Sequence, residues 1–232
     1  SMPDMQRSSP PPLPRDVDTS SHKFSYRDRN DRQTTSFASG WTVVLERKLS
    51  DRYTGLADQV MSELERQLNR AAGVLPRAAV EELRKVPIHV AYEGSGSAPM
   101  RFHWPDEKDL DPGLAGVIEI PKAREYLDAA PRSPWLALHQ LASAWHQKVL
   151  GSEHAAVRDA YKEALRLGSY KQVKLADGRP GRSMALASER DFFAELTKSF
   201  YGRADAYPFV REEFQQYDPI SARVIETAWN KR

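Results

Sequence analysis

Between Ser133 and His146 the chain reads Ser-Pro-Trp-Leu-Ala-Leu-His-Gln-Leu-Ala-Ser-Ala-Trp-His. On a helix, two histidines at i and i+4 share one face, and a glutamate after the first supplies a general base to a water held on zinc. His139 occupies the first ligand position of that frame, Gln140 the place of the base, and Ser143 the place of the second imidazole. An amide cannot take a proton from water at neutral pH, and a neutral hydroxyl is a poor zinc ligand. His146 lies seven residues beyond His139, about 10.5 Å along a helix axis. Zinc–nitrogen bonds are about 2.0–2.1 Å, so these two imidazoles are not expected to share an ion. A second cluster, Asp191-Phe-Phe-Ala-Glu195, sets two carboxylates one helical turn apart. Each of these residues also has a purely structural reading. Asp191 fits a helix cap after Ser188, Glu195 a bond to a neighbouring helix, and His139 a satisfied core histidine beside Leu138 and Leu141. His146 reads as structural or surface, and His103 beside Trp104 is open between the two readings, with the structural one favoured.

Composition removes several other chemistries. Lys plus Arg is 34 against 32 for Asp plus Glu, a formal charge of +2 over 232 residues. That balance lacks the concentrated basic surface that phosphate backbones require, so nucleic acid is not an expected partner. Lys162, Lys171, Lys174 and Arg182 read as a solvated face. The absence of cysteine excludes thiol nucleophiles, disulfides and thiolate metal sites. No apolar run approaches the roughly 20 residues of a membrane span. Ser1-Met2 reads as a cleavage scar, which leaves the compartment open between the cytoplasm and export with a signal peptide already removed.

The elements that must position these residues follow from periodicity. Residues 1–39, with Pro3, Pro10–Pro12 and Pro14 ahead of a polar Arg/Asp tract, are expected to be a disordered leader. Within it, Pro11–Pro14 is a candidate ligand for a polyproline-binding domain. Trp41, Val43 and Leu45 alternate as a half-buried strand. Leu56, Val60, Leu64 and Leu68 mark an amphipathic helix closed by Gly73, and Pro76 opens a short helix through Leu83. Strands are expected over 86–92 and 116–120. From there the chain turns helical. One helix has Ser133-Pro134 as cap and first residue and runs to about Leu150. Others cover 155–167, Ser188 to Gly202, and a last segment opened by Asp218-Pro219. Strands early and helices late predict one α+β domain over 40–232.

Four segments together resemble a known family: Phe102-His103-Trp104, Gly116-Val-Ile-Glu-Ile120, the helix from Ser133 to His146, and Asp191-Phe-Phe-Ala-Glu195 followed by Phe200-Tyr201-Gly202. Their order and spacing are similar to bacterial zincin-type metallopeptidase-like proteins related to the catalytic domain of anthrax lethal factor. The flanking Trp135, Ala144 and Pro208-Phe209 also fit. The resemblance covers about residues 100–216 and implies a zincin-like fold with a small N-terminal sheet and a mainly helical C-terminal half. By position it makes His139 the surviving zinc ligand, Ser143 the lost one, Gln140 the lost base, and Asp191 a shortened version of the glutamate ligand. Glu195 matches a carboxylate that supports the site from behind. Ser183 and Met184 lie near the place of an oxyanion-stabilising tyrosine.

The function this resemblance implies is a pseudopeptidase. The cleft would capture a peptide or protein without hydrolysis and need no cofactor, with His139, Gln140, Ser143, Asp191 and Glu195 on its floor. Amide and hydroxyl in place of Glu and His remove the demand for a metal without leaving an unpaired buried charge. Two other readings stay open. One is a hydrolase with a rebuilt, weak divalent-metal site on His139 and Asp191, with help from His103. The other is an interaction scaffold acting outside the cleft.

Overall fold

The computed structural model describes residues 22–27, 32–37 and 39–231. The first half of the chain builds a mixed six-stranded sheet in the order β1-β2-β3-β4-β6-β5. Its strands are β1 (His22–Arg27), β2 (Arg32–Phe37), β3 (Thr42–Glu46), β4 (Ile88–Val90), β5 (Arg101–Phe102) and β6 (Ile118–Ile120). β1, β2 and β3 form an antiparallel meander, β3, β4 and β6 are parallel, and β5 closes the far edge antiparallel to β6.

The sheet therefore begins ahead of residue 40, inside the segment expected to be a leader. Alternating aromatic and β-branched residues such as Phe24, Tyr26, Thr35 and Phe37 suit pleated backbone, and β3 offers β2 a partner over its whole length. Pro11–Pro14 lies outside the described residues.

The parallel crossover from β3 to β4 runs through α1 (Arg47–Arg52), α2 (Thr54–Ala72) and α3 (Arg77–Leu83). The four-residue spacing along α2 buries Leu56, Val60, Leu64 and Leu68. After β6 come α4 (Ala123–Ala129), α5 (Leu136–Trp145), α6 (Ala155–Leu167), α7 (Glu189–Tyr201), α8 (Arg211–Tyr217) and α9 (Pro219–Trp229). A hairpin of β7 (Val173–Lys174) and β8 (Pro180–Gly181) interrupts them. The architecture is mixed α+β, mostly helical with a small sheet. Among the described residues no helix is long and apolar enough to cross a membrane.

The start of α5 departs from expectation. Ser133 closes a short 3-10 turn after α4, and Trp135 takes the cap position without a side-chain cap bond. The Ser133 carbonyl instead accepts from Leu136 N at 3.1 Å and from the Gln67 side chain at 3.3 Å. The other end continues past Trp145 as a π-helical turn to Leu150. Ser188 caps α7 as its spacing predicts: its hydroxyl accepts from Asp191 N at 3.0 Å.

α5 is apolar nearly all round and is wedged between α2 and α7. Its Leu138, Leu141, Ala142 and Ala144 are at most 1% exposed, and each fully buried leucine contributes roughly 1.5–3 kcal/mol. Trp145 stacks on Trp229 with ring centroids 5.1 Å apart and donates to the Ala228 carbonyl at 3.0 Å, locking α5 against α9. Gly202, at the end of α7, is shaped by close approach. A Cβ there would fall 2.6 Å from the Trp135 ring, so only glycine lets the start of α5 pack against this turn.

Candidate functional site

Two helices set the site. α5 presents His139 and Gln140, while α7 carries Asp191, Glu195 and Lys198 at four- and three-residue steps along one face. His139 Nδ1 donates to Glu195 Oε1 at 3.0 Å. This bond places the imidazole proton on Nδ1, since an ionised carboxylate can only accept. Nε2 then points towards Asp191, with Oδ1 3.9 Å away. The other Asp191 oxygen accepts from the Ser188 hydroxyl at 3.0 Å, which binds this carboxylate to its own helix cap.

Glu195 is the electrostatic centre. Burial alone pushes its carboxyl up, but the His139 hydrogen bond and the Lys198 ammonium outweigh that and hold it down at about 2. Lys198 Nζ lies 3.2 Å from Glu195 Oε1 and 2.8 Å from Asp205 Oδ2, and its side chain is only 8% exposed. Desolvation lowers the ammonium, yet the two carboxylates more than reverse it and leave it raised above the ordinary lysine value. Sequence reasoning missed Lys198. The three-residue step from Glu195 was a local signal for it, but Asp205 reaches it only because the chain folds back after α7.

The residues present do not complete a zinc site. A catalytic zinc takes three protein ligands, whereas His139 Nε2 and one Asp191 oxygen are the donors at hand. Ser143 brings only a neutral hydroxyl. Among the described residues no group of three His, Asp or Glu side chains is arranged to hold a metal ion. His103, the third donor considered for a rebuilt site, has both ring nitrogens engaged: Nδ1 at 2.9 Å from Glu107 and Nε2 at 3.0 Å from Glu119.

That His103 cluster fastens β5 to β6. The Glu119 hydrogen bond, opposed by burial and reinforced by Glu107, raises the imidazole above its ordinary value. A histidine raised on folding stabilises fully below the unfolded value of about 6.5, and its contribution disappears as pH rises through the folded value. Replacing His103 with Asn is expected to cost about 1.5–3 kcal/mol at pH 6 and clearly less at pH 9. Urea midpoints across that range check this, and an equal loss at both ends contradicts the paired imidazolium.

A cleft of about 470 Å³ opens over the His139–Glu195 pair, lined by Met100, Trp135, His139, Gln140, Glu195 and Lys198 among others. A second compartment of about 340 Å³ shares Ala176, Glu195 and Asp205 with it and adds Arg182 and Met184, whose side chain is exposed. Of the five residues expected on the cleft floor, His139, Gln140 and Glu195 line it. Ser143 sits one turn deeper in α5 at 6% exposure, and Asp191 is turned to its cap, so neither lines either compartment.

Gln140 is committed to structure. Its Oε1 accepts from Phe102 N at 2.7 Å, tying the helix to the edge strand β5. His146 is fully buried between Trp104 and Phe193, at ring-centroid distances of 5.3 and 5.1 Å, away from the cleft. Comparison of the chain with protein-family models, characterised proteins and solved structures returns no match.

Proposed function

We propose that this chain is a zincin-like domain that holds a peptide or protein segment in its cleft without hydrolysing it. The observation that carries the reading is the state of Gln140. The side chain at the position of a general base is an amide whose oxygen is already spent on the backbone of the cleft's edge strand. The supporting observation is Glu195, whose charge is met within the protein by the Lys198 ammonium and by a hydrogen bond from His139. The floor thus carries its own hydrogen bonds and ion pair, and it lies beside the edge of a sheet, where extended peptides are commonly recognised by strand addition.

The test is a selection of displayed random peptides against the full chain, followed by mass spectrometry of what is recovered. Intact peptides whose affinity falls about tenfold when Trp135 is replaced by Ala are the expected result. Cleaved peptides would put a hydrolase in its place, and binding indifferent to every cleft substitution would move the function to another surface. Melting curves separate the metal-dependent alternative. The melting temperature should be unchanged by chelator or added zinc, because only a ligand selective for the native state raises it.

A further inference from the structure

The two compartments around Glu195 are uneven in charge. Three carboxylates line them, and each already lies beside a cation: Glu195 and Asp205 share Lys198, and Asp177 faces Arg179 at 2.7 Å. Three arginines also line them: Arg132 and Arg203 in the first compartment and Arg182 in the second. All three are exposed. Among the described residues, no carboxylate lies within ion-pair distance of any of them. Arg203 rests over the Phe209 ring at 5.1 Å, a contact that leaves its hydrogen-bond donors free.

We infer that the segment held in the cleft is acidic, a stretch of chain carrying Asp or Glu side chains that pair with Arg132, Arg182 and Arg203 while its backbone lies along the floor. This inference rests on the peptide-holding reading and specifies its ligand. Guanidinium groups suit carboxylates because the planar fork matches both oxygens. The occupant is taken to be peptide and not nucleic acid because the cleft lies beside a strand edge, where an extended chain can pair. The near-balanced total charge agrees.

The experiment uses fluorescent nonapeptide pools of matched design, with alternate positions fixed as Glu, Gln or Lys, and a single-stranded oligonucleotide. Anisotropy is measured with the full chain at low and high salt. The acidic pool should bind about tenfold more tightly than the Gln pool, and the preference should shrink at high salt. The double variant Arg132→Gln, Arg203→Gln should abolish most of the preference with little change in melting temperature, since neither arginine is ion-paired among the described residues and the ring contact of Arg203 with Phe209 is at an exposed site. If the Gln or Lys pool binds as well as the acidic one, the acidic ligand is wrong and peptide capture stands. If no pool binds, the capture reading fails with it. Tighter binding of the oligonucleotide than of the acidic pool would also overturn the inference.

Discussion

Replacing Lys198 with Met is expected to destabilise the protein by about 3–5 kcal/mol, the usual cost of removing one partner from a buried ion pair. The Lys198 side chain is 8% exposed, and its ammonium contacts both Glu195 and Asp205. Without it, Glu195 keeps only the His139 bond to offset its desolvation, and its carboxyl should rise from about 2 towards the ordinary range. Adding Glu195→Gln to Lys198→Met should recover part of the loss, because an amide carries no charge to strand. Urea unfolding of both variants checks the pair. A loss below about 1 kcal/mol for Lys198→Met would mean that water already compensates Glu195.

The second large effect lies at His146. Both ring nitrogens are buried with no hydrogen-bond partner, and the ring is enclosed by Trp104 and Phe193. Burial first, then the positive charges of His154 and Arg190, push the imidazole down to about 4. A histidine lowered on folding is neutral in the native state, while the unfolded chain takes up the proton from about pH 6.5 downwards. Stability should therefore fall as the solution is acidified from pH 6.5 to 4, by about 3 kcal/mol from this residue.

Glu195 acts in the same direction in a lower window. Its contribution is complete above about pH 4.5 and is lost as pH falls towards 2. His154, also lowered by burial, adds to the upper window. The variant His146→Leu separates them. It should remove most of the loss between pH 6.5 and 4 and gain about 1–3 kcal/mol at neutral pH by deleting two unpaired polar atoms. Urea midpoints at pH 7, 5.5 and 4.2 measure both effects. An unchanged acid slope in the variant would show that His146 is already protonated in the native state.

Periodicity made the helices legible because each signal is local. The four-residue steps of α2, the Ser188 cap of α7 and the Asp218-Pro219 start of α9 appear in the structure where the sequence puts them. What could not be read depended on distant partners. β5 is two residues long, too short for an alternating pattern, and exists because β6 pairs with it. The His103 cluster needs that same pairing to bring Glu119 to the imidazole. The burial of His146 gave no sign either, since a histidine at a helix end reads as polar until Trp104 and Phe193 close over it. Ser133 misled because its backbone was required by Gln67 and Leu136, which left Trp135 to begin the helix.

The bond from Phe102 N to Gln140 also constrains anything that adds to this edge. His103 turns both its backbone groups inward, donating to Val117 O and accepting from Gly116 N, so by alternation the backbone of Phe102 faces outward. With the donor of Phe102 already occupied by Gln140, a chain added at this edge has no amide donor to accept from at that residue. A single side chain from a helix thus takes a backbone donor that a sheet edge would otherwise leave open.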